Sequence, residues 1–248
     1  RLQTELTTEV FMGTRMKCAN CHNHPLDNWT QDDFHGLTAI FSKLTRSQVI
    51  RINPIGKNIH PNTGEAARMK LPGGDFLPTG TEDGRIAFAN WLTDHNNPYF
   101  AKAIVNRLWN SLMGRGLVEP LDDFRSTNPA THPSLLTRLA IDFIEHGYDV
   151  RHTLKVIAMS SSYGRTSIAV PGNESDKRFY SHRLQTPHEP EVLADAISDV
   201  LGIPGRYGNE TIGTRAVELR DGAISSDALD ILGRCNRTNS CEGMPAPV

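Results

Sequence analysis

Cys18-Ala19-Asn20-Cys21-His22 constrains this chain more than any other stretch. Two cysteines separated by two residues, with a histidine directly after the second, form the attachment pattern of a c-type haem. The spacing suits the chemistry. The haem vinyl groups lie on adjacent pyrrole rings, both thiols reach them across two residues, and His22 is carried beneath the iron as proximal ligand. The expected cofactor is therefore one covalent haem c, held by Cys18, Cys21 and His22. Two other readings compete. A Cys-x-x-Cys is also half of a zinc site, with His22 and His24 as the remaining ligands, but His22 adjoins Cys21 and the two chelate one metal poorly. It is also a redox dithiol or disulfide. Such a dithiol follows a strand in a βαβ pattern, whereas a helical run, Thr8 to Met16, precedes this motif.

Composition narrows the class. The chain has 248 residues, 38% of them hydrophobic and 22% charged, with a net charge of −2. That is ordinary for a globular protein of one large or two modest domains. No basic stripe offers an electrostatic footprint for nucleic acid. No apolar run approaches the roughly 20 residues needed to cross a membrane. Haem c is attached outside the cytoplasm, so the haem reading implies a periplasmic or extracellular protein. The chain opens at Arg1-Leu2-Gln3 without a starting Met or a signal peptide, and is expected to be a processed or partial product. Cys235 and Cys241, with five residues between them, either close a small disulfide loop or are two unrelated thiols.

The spacing of apolar residues predicts a mainly α fold. A helix is expected from Leu2 to Lys17, running into the motif. Thr30 to Asp33 has the form of a capping box, opening a helix that carries Phe34, Leu37, Ile40, Phe41 and Leu44 on one face. Phe11, Trp29 and Phe34 are the expected apolar contacts of a haem. Residues 46–81 are rich in Gly and Pro, with one short strand at Val49–Ile52. A loop of that length is usually functional, and the iron needs a second axial ligand or an open position. His60 is the first choice for that ligand and Met69 the second, with Met12, Met16 and His35 as alternatives on flanking helices. His24 is too close to His22 to cross the ring and suits a propionate or outer contact. Further helices are expected over residues 81–96, 98–113, 132–146, 149–158, 189–201 and 226–232. The expected division is a haem-binding segment, 1–80, packed on a larger helical domain, 81–248, with long Gly/Pro-rich loops and few strands.

The run from Cys18 to Leu37 resembles the end of a planctomycete cytochrome-c-like domain of unknown function. Asn97-Pro98-Tyr99-Phe100-Ala101-Lys102-Ala103-Ile104-Val105-Asn106-Arg107-Leu108-Trp109, Gly114 to Arg125, His132-Pro133-Ser134-Leu135-Leu136 and Ser160-Ser161-Ser162-Tyr163 resemble the partner domain that usually follows it. The resemblance covers nearly the whole chain and departs from the family around Cys235 and Cys241. It implies an exported haem protein and says little of a substrate. Asn106, Arg107, Arg115, Asp122, Asp123 and Arg125 form either a propionate or small-ion site or, preferably, a network that fastens the two blocks. The expected function is electron transfer with an unidentified redox partner protein. The alternatives are a haem-dependent redox enzyme with an open distal face, and a structural subunit of a larger envelope or extracellular assembly.

Overall fold

The first helix is shorter than its apolar spacing suggests. α1 spans Leu2–Thr7 and passes into a π-helical turn, Thr8–Met12, which ends where Gly13 takes a left-handed conformation (φ +65°). A side chain at Gly13 is excluded twice over, by that φ and by Phe124, whose ring lies 2.6 Å from where a Cβ would stand. The chain thus turns at Gly13 and reaches the motif as a separate 3₁₀ turn, Lys17–Asn20. The computed structural model describes residues 1–46, 50–53, 55–185, 188–220 and 224–234. Cys235 and Cys241, with the disulfide expected between them, lie outside these.

The chain is mainly α, with one two-stranded sheet among the described residues. α2, Gln31–Phe41, opens with the capping box in both directions: Thr30 Oγ1 accepts from the Asp33 N–H, and Asp33 accepts from the Thr30 N–H. β1, Leu44–Arg46, pairs antiparallel with β2, Ile50–Ile52, with Thr45 opposite Arg51. The long loop then lies against α2. Gly36 makes this approach possible, since a Cβ there would collide with Lys70. α3, Gly84–Leu92, α4, Phe100–Met113, α5, Pro133–Glu145, and α6, Val150–Ala158, follow.

Two compact units emerge, Arg1–Leu184 and Gln185–Val248. The first unit holds two apolar cores. One gathers Met12, Met16, Ala19, Trp29, Phe34, Leu37 and Ile40 with Phe88 and Leu92 of α3. The other lies between α4, α5 and α6, around Val105, Trp109, Leu139, Phe143 and Ile157. Polar contacts join the N-terminal segment to α4 and the loop after it. Arg107 Nη2 donates to the Glu9 carbonyl at 2.9 Å, the Phe124 N–H to the Gly13 carbonyl at 2.9 Å, and Arg15 to both oxygens of Asp122 at 2.6 and 2.8 Å. Asn106, fully buried, uses both ends of its amide on the backbone of Val118. The Arg15 pair is exposed and contributes at most about 1 kcal/mol, whereas stranding the Val118 groups by removing Asn106 would cost about 1–3 kcal/mol. Asn106, Arg107 and Arg15 therefore act as fasteners.

In the second unit α7, Pro190–Leu201, has proline in its first turn and ends at Gly202 (φ +63°). Its buried Asp195 accepts the backbone N–H groups of Ala216 and Val217 at 2.6 and 3.3 Å. A core of Ala194, Tyr207, Ala216 and Leu229 ties α7 to α8, Asp227–Ile231.

Asp33 is the polar centre of the first core's rim. Its carboxylate takes Lys70 Nζ, the N–H and hydroxyl of Thr30, and the Gly73 N–H. Burial raises its pKa, but the Lys70, Thr30 and Gly73 donors outweigh burial and hold it below its ordinary 3.8. Asp33→Asn strands the Lys70 ammonium and is expected to cost about 3 kcal/mol, read as a lower urea midpoint at unchanged m-value. Because the folded pKa is depressed, this contribution is complete above pH 3.8 and lost as pH falls through the folded value. The acid limb of a stability profile should therefore be shallower in the variant than in the parent.

Candidate functional site

The motif forms an outward-facing loop pinned from beneath. Ala19 is fully buried in the first core, with Met16 beside it. The Ala19 N–H donates to the Met16 carbonyl at 2.9 Å, and the N–H groups of Cys21 and His22 converge on the Cys18 carbonyl at 3.3 and 3.4 Å. With Ala19 turned inward, Cys18 and Cys21 are exposed, and neither is in a disulfide. The side chain of Asn23 accepts the Gln31 N–H at 3.0 Å, which ties the end of the motif to the start of α2.

His35 holds the centre of the loop. It is fully buried in α2, and its Nε2–H donates to the Asn20 carbonyl at 2.9 Å. Its Nδ1 accepts from Asn58 Nδ2 at 3.1 Å. These two partners define a neutral Nε2–H imidazole. Burial first, opposed by the Asn20 carbonyl and assisted by nearby His60, holds the pKa of His35 below its ordinary 6.5. Both nitrogens are engaged, so His35 positions the motif and has none left for a metal.

His22 is exposed, and its Nδ1–H donates to the Asn23 carbonyl at 2.7 Å. The ring's lone pair is then on Nε2, the arrangement of a metal-binding histidine with an outer carbonyl partner. His60 comes to the same place from the long loop. His22, Cys21 and His60 line one hollow of about 360 Å³, with Asn23, Thr30, Gln31, Asp32 and Asn62. His60 is buried, and its Nδ1 accepts the Asn62 N–H at 3.2 Å. Its buried Nε2 makes no hydrogen bond, although Asp32 Oδ1 lies 3.2 Å away, out of hydrogen-bond alignment. Cys18 opens on a second hollow of about 310 Å³, shared with His24, Arg15, Lys17 and Arg125.

The other expected residues lie elsewhere. Trp29 and Phe34 are buried in the core that carries Ala19, beneath the motif, and Trp29 packs on Tyr99 with ring centres 5.5 Å apart. Phe11 is partly exposed beside Phe100. None of the three lines the hollow of His22, whose walls are polar. Met69 packs against the first core, with its sulfur 2.9 Å from where a Cβ on Gly84 would stand, and is not brought to His22. Met12 and Met16 are fully buried in the core. His24 Nδ1 accepts the Leu26 N–H at 3.2 Å. Sequence reasoning missed the anchoring role of His35. The available signal was its position in a helix otherwise buried on that side, where an unpartnered imidazole is costly.

Residues 84–221 match the family model described as PSD1, protein of unknown function (DUF1553). Residues 1–46 match that described as PSCyt2, protein of unknown function (DUF1549). No curated protein and no solved structure matches the chain.

The neutral state of His35 has a measurable consequence. A group whose folded pKa is depressed contributes stability that is complete above its unfolded value, 6.5, and lost as pH falls through the folded one. His35→Gln, which keeps an N–H donor for the Asn20 carbonyl and cannot titrate, is expected to flatten stability against pH just below 6.5. Urea unfolding at stepped pH checks this, and an unchanged profile would remove His35 from the account.

Proposed function

The chain belongs to the PSD1 family of proteins of unknown function, and from the loop that Ala19 and His35 hold in place we propose that it is an exported c-type haem protein acting in electron transfer. One observation carries this reading. Two exposed, unpaired thiols flank a buried alanine, and the next residue is a histidine whose Nδ1–H is already committed to a carbonyl. Haem attached there would supply one-electron exchange between ferric and ferrous iron.

The chain's own residues divide the work. Cys18 and Cys21 offer the thiols for thioether attachment. His22 offers Nε2, and the Asn23 carbonyl fixes its tautomer and ring orientation. His35 and Ala19 keep the loop from shifting. His60 is the preferred second ligand, because its unsatisfied Nε2 stands beside His22 in one hollow. Ligation through Nε2 would place the ring proton on Nδ1, and the Asn62 N–H contact would then be given up. The hollow's walls are polar, and a haem held by His22 and His60 would lack the His/Met pair that raises the potential of cytochromes c. Its potential would be comparatively low. In this reading the motif-bearing segment is the redox part and the α4–α6 bundle its support. Attachment outside the cytoplasm makes the location periplasmic or extracellular, and the partner a second redox protein. No described helix is long and apolar enough to cross a membrane.

Expression with a c-type maturation system and a pyridine haemochrome assay test the proposal. One covalent haem per chain is expected, and none in a Cys18→Ala/Cys21→Ala variant. His60→Ala should retain the haem but change a low-spin spectrum to a high-spin one that shifts with carbon monoxide. His60→Met should raise the midpoint potential. A full chain that emerges from the maturation system without haem would refute the reading, and a low-spin spectrum unaltered by His60→Ala would remove His60 from it.

A further inference from the structure

A second cluster of ligand-type side chains lies in the bundle, away from the motif. Asp142 and His146 stand one turn apart at the C-terminal end of α5, and His152 faces them from the first turn of α6. Gly147 and Tyr148, both left-handed (φ +64° and +63°), reverse the chain between the two helices. That conformation is unfavourable for tyrosine. It is held by the Tyr148 hydroxyl, which donates to the Thr93 carbonyl at 2.8 Å, and by ring packing on Phe143 and Phe100. The result is a fixed turn that lays the two imidazoles face to face, 3.7 Å apart and within 14° of parallel.

We infer that Asp142, His146 and His152 form a binding site for a divalent first-row transition ion. Each offers one ligand atom, and the three atoms lie within 4.8 Å of one another. His152 Nε2 is 3.0 Å from Asp142 Oδ2, and His146 Nδ1 is 3.4 Å from Asp142 Oδ1. Ligands about 2.0–2.1 Å from a tetrahedral ion stand about 3.3 Å from each other, so each ring nitrogen already sits at ligand separation from one oxygen of the carboxylate; a shared ion requires the stacked rings to turn about their side-chain torsions until both lone pairs meet it. Two imidazoles and one carboxylate suit zinc, copper, nickel or cobalt; magnesium and calcium prefer all-oxygen sets. Three protein ligands leave a fourth position for water. The side chains are 33%, 46% and 29% exposed, so an ion can reach them. The negative end of the α5 dipole also favours a cation there.

Without an ion the same atoms bond to one another. His152 Nε2–H donates to the Asp142 carboxylate, and His146 Nδ1–H donates to the Asp142 carbonyl at 2.8 Å. Binding moves each ring proton to the other nitrogen, Nε2 of His146 and Nδ1 of His152, and the rings stay neutral. The site shares no residue with the Cys18–His22 loop, and its test does not depend on haem.

The probe is zinc, titrated calorimetrically into the full chain with its free thiols alkylated and carrying His60→Ala, so that neither the thiols nor the hollow shared by His22, His60 and Asp32 competes. One zinc per chain is expected. His152→Ala and Asp142→Asn should each weaken binding at least about tenfold, the lower bound for losing even an outer partner of a metal. His95→Ala, a control at a histidine 74% exposed, should leave it unchanged. Circular dichroism checks folding. His146→Gln, at the most exposed of the three positions, supplies the affinity loss if another variant unfolds. No zinc bound by the alkylated full chain, or folded variants that bind as tightly as the parent, would overturn the site.

Discussion

The hydrogen bond from His35 to the carbonyl of Asn20 is what the candidate site rests on. A five-residue loop with two exposed thiols and an exposed imidazole has little to hold its shape. Its own backbone bonds are few and long. The burial of Ala19 fixes one side of it, and His35 fixes the other from a helix that is itself immobilised in the core. The imidazole does this through its Nε2–H, while its Nδ1 accepts from Asn58 of the long loop. The loop over residues 55–83 is thus part of the site's support, since it supplies Asn58 to His35, Lys70 and Gly73 to Asp33, and His60 to the hollow.

Much of this was legible in the residues. The capping box at Thr30 and Asp33, the glycine stop after Met113 and the proline openings of α5 and α7 are local devices, and local devices are readable in one sequence. The start of the chain was not. The apolar spacing from Leu2 to Lys17 runs on past Gly13, where the chain turns with a left-handed φ, and only the tertiary arrangement shows the ring of Phe124, more than a hundred positions away, packed where a side chain would stand. Placement of Met69 and of the aromatic residues failed to show for the same reason. Their chemistry suits a haem wall as well as it suits a core, and only the tertiary arrangement buries Trp29 and Phe34 beneath the motif. His60 stands beside His22 in the folded chain, where the long loop lies against α2 with Lys70 over Gly36, a contact invisible to any periodicity.

The two cores differ in what they must do. Around α4, α5 and α6 the core is chiefly apolar packing, with Asn106 tied to the Val118 backbone at its edge. Around α2 the core is bordered by groups that are satisfied one by one, namely Asp33 by four donors and His35 by two partners. A buried polar rim of this kind tolerates little movement, because each unmade bond leaves a desolvated group behind. It gives the loop above it a defined shape that oily packing alone would not.

Phe88 and Leu92 close the core that carries Ala19, although they belong to the segment matched by the PSD1 model and Ala19 to the segment matched by the PSCyt2 model. A seam drawn between the two matches runs through a hydrophobic interior. Recombination at that seam would leave each half with a bare apolar face. The boundary between the two matches marks a likeness between sequences, and the apolar core runs across it.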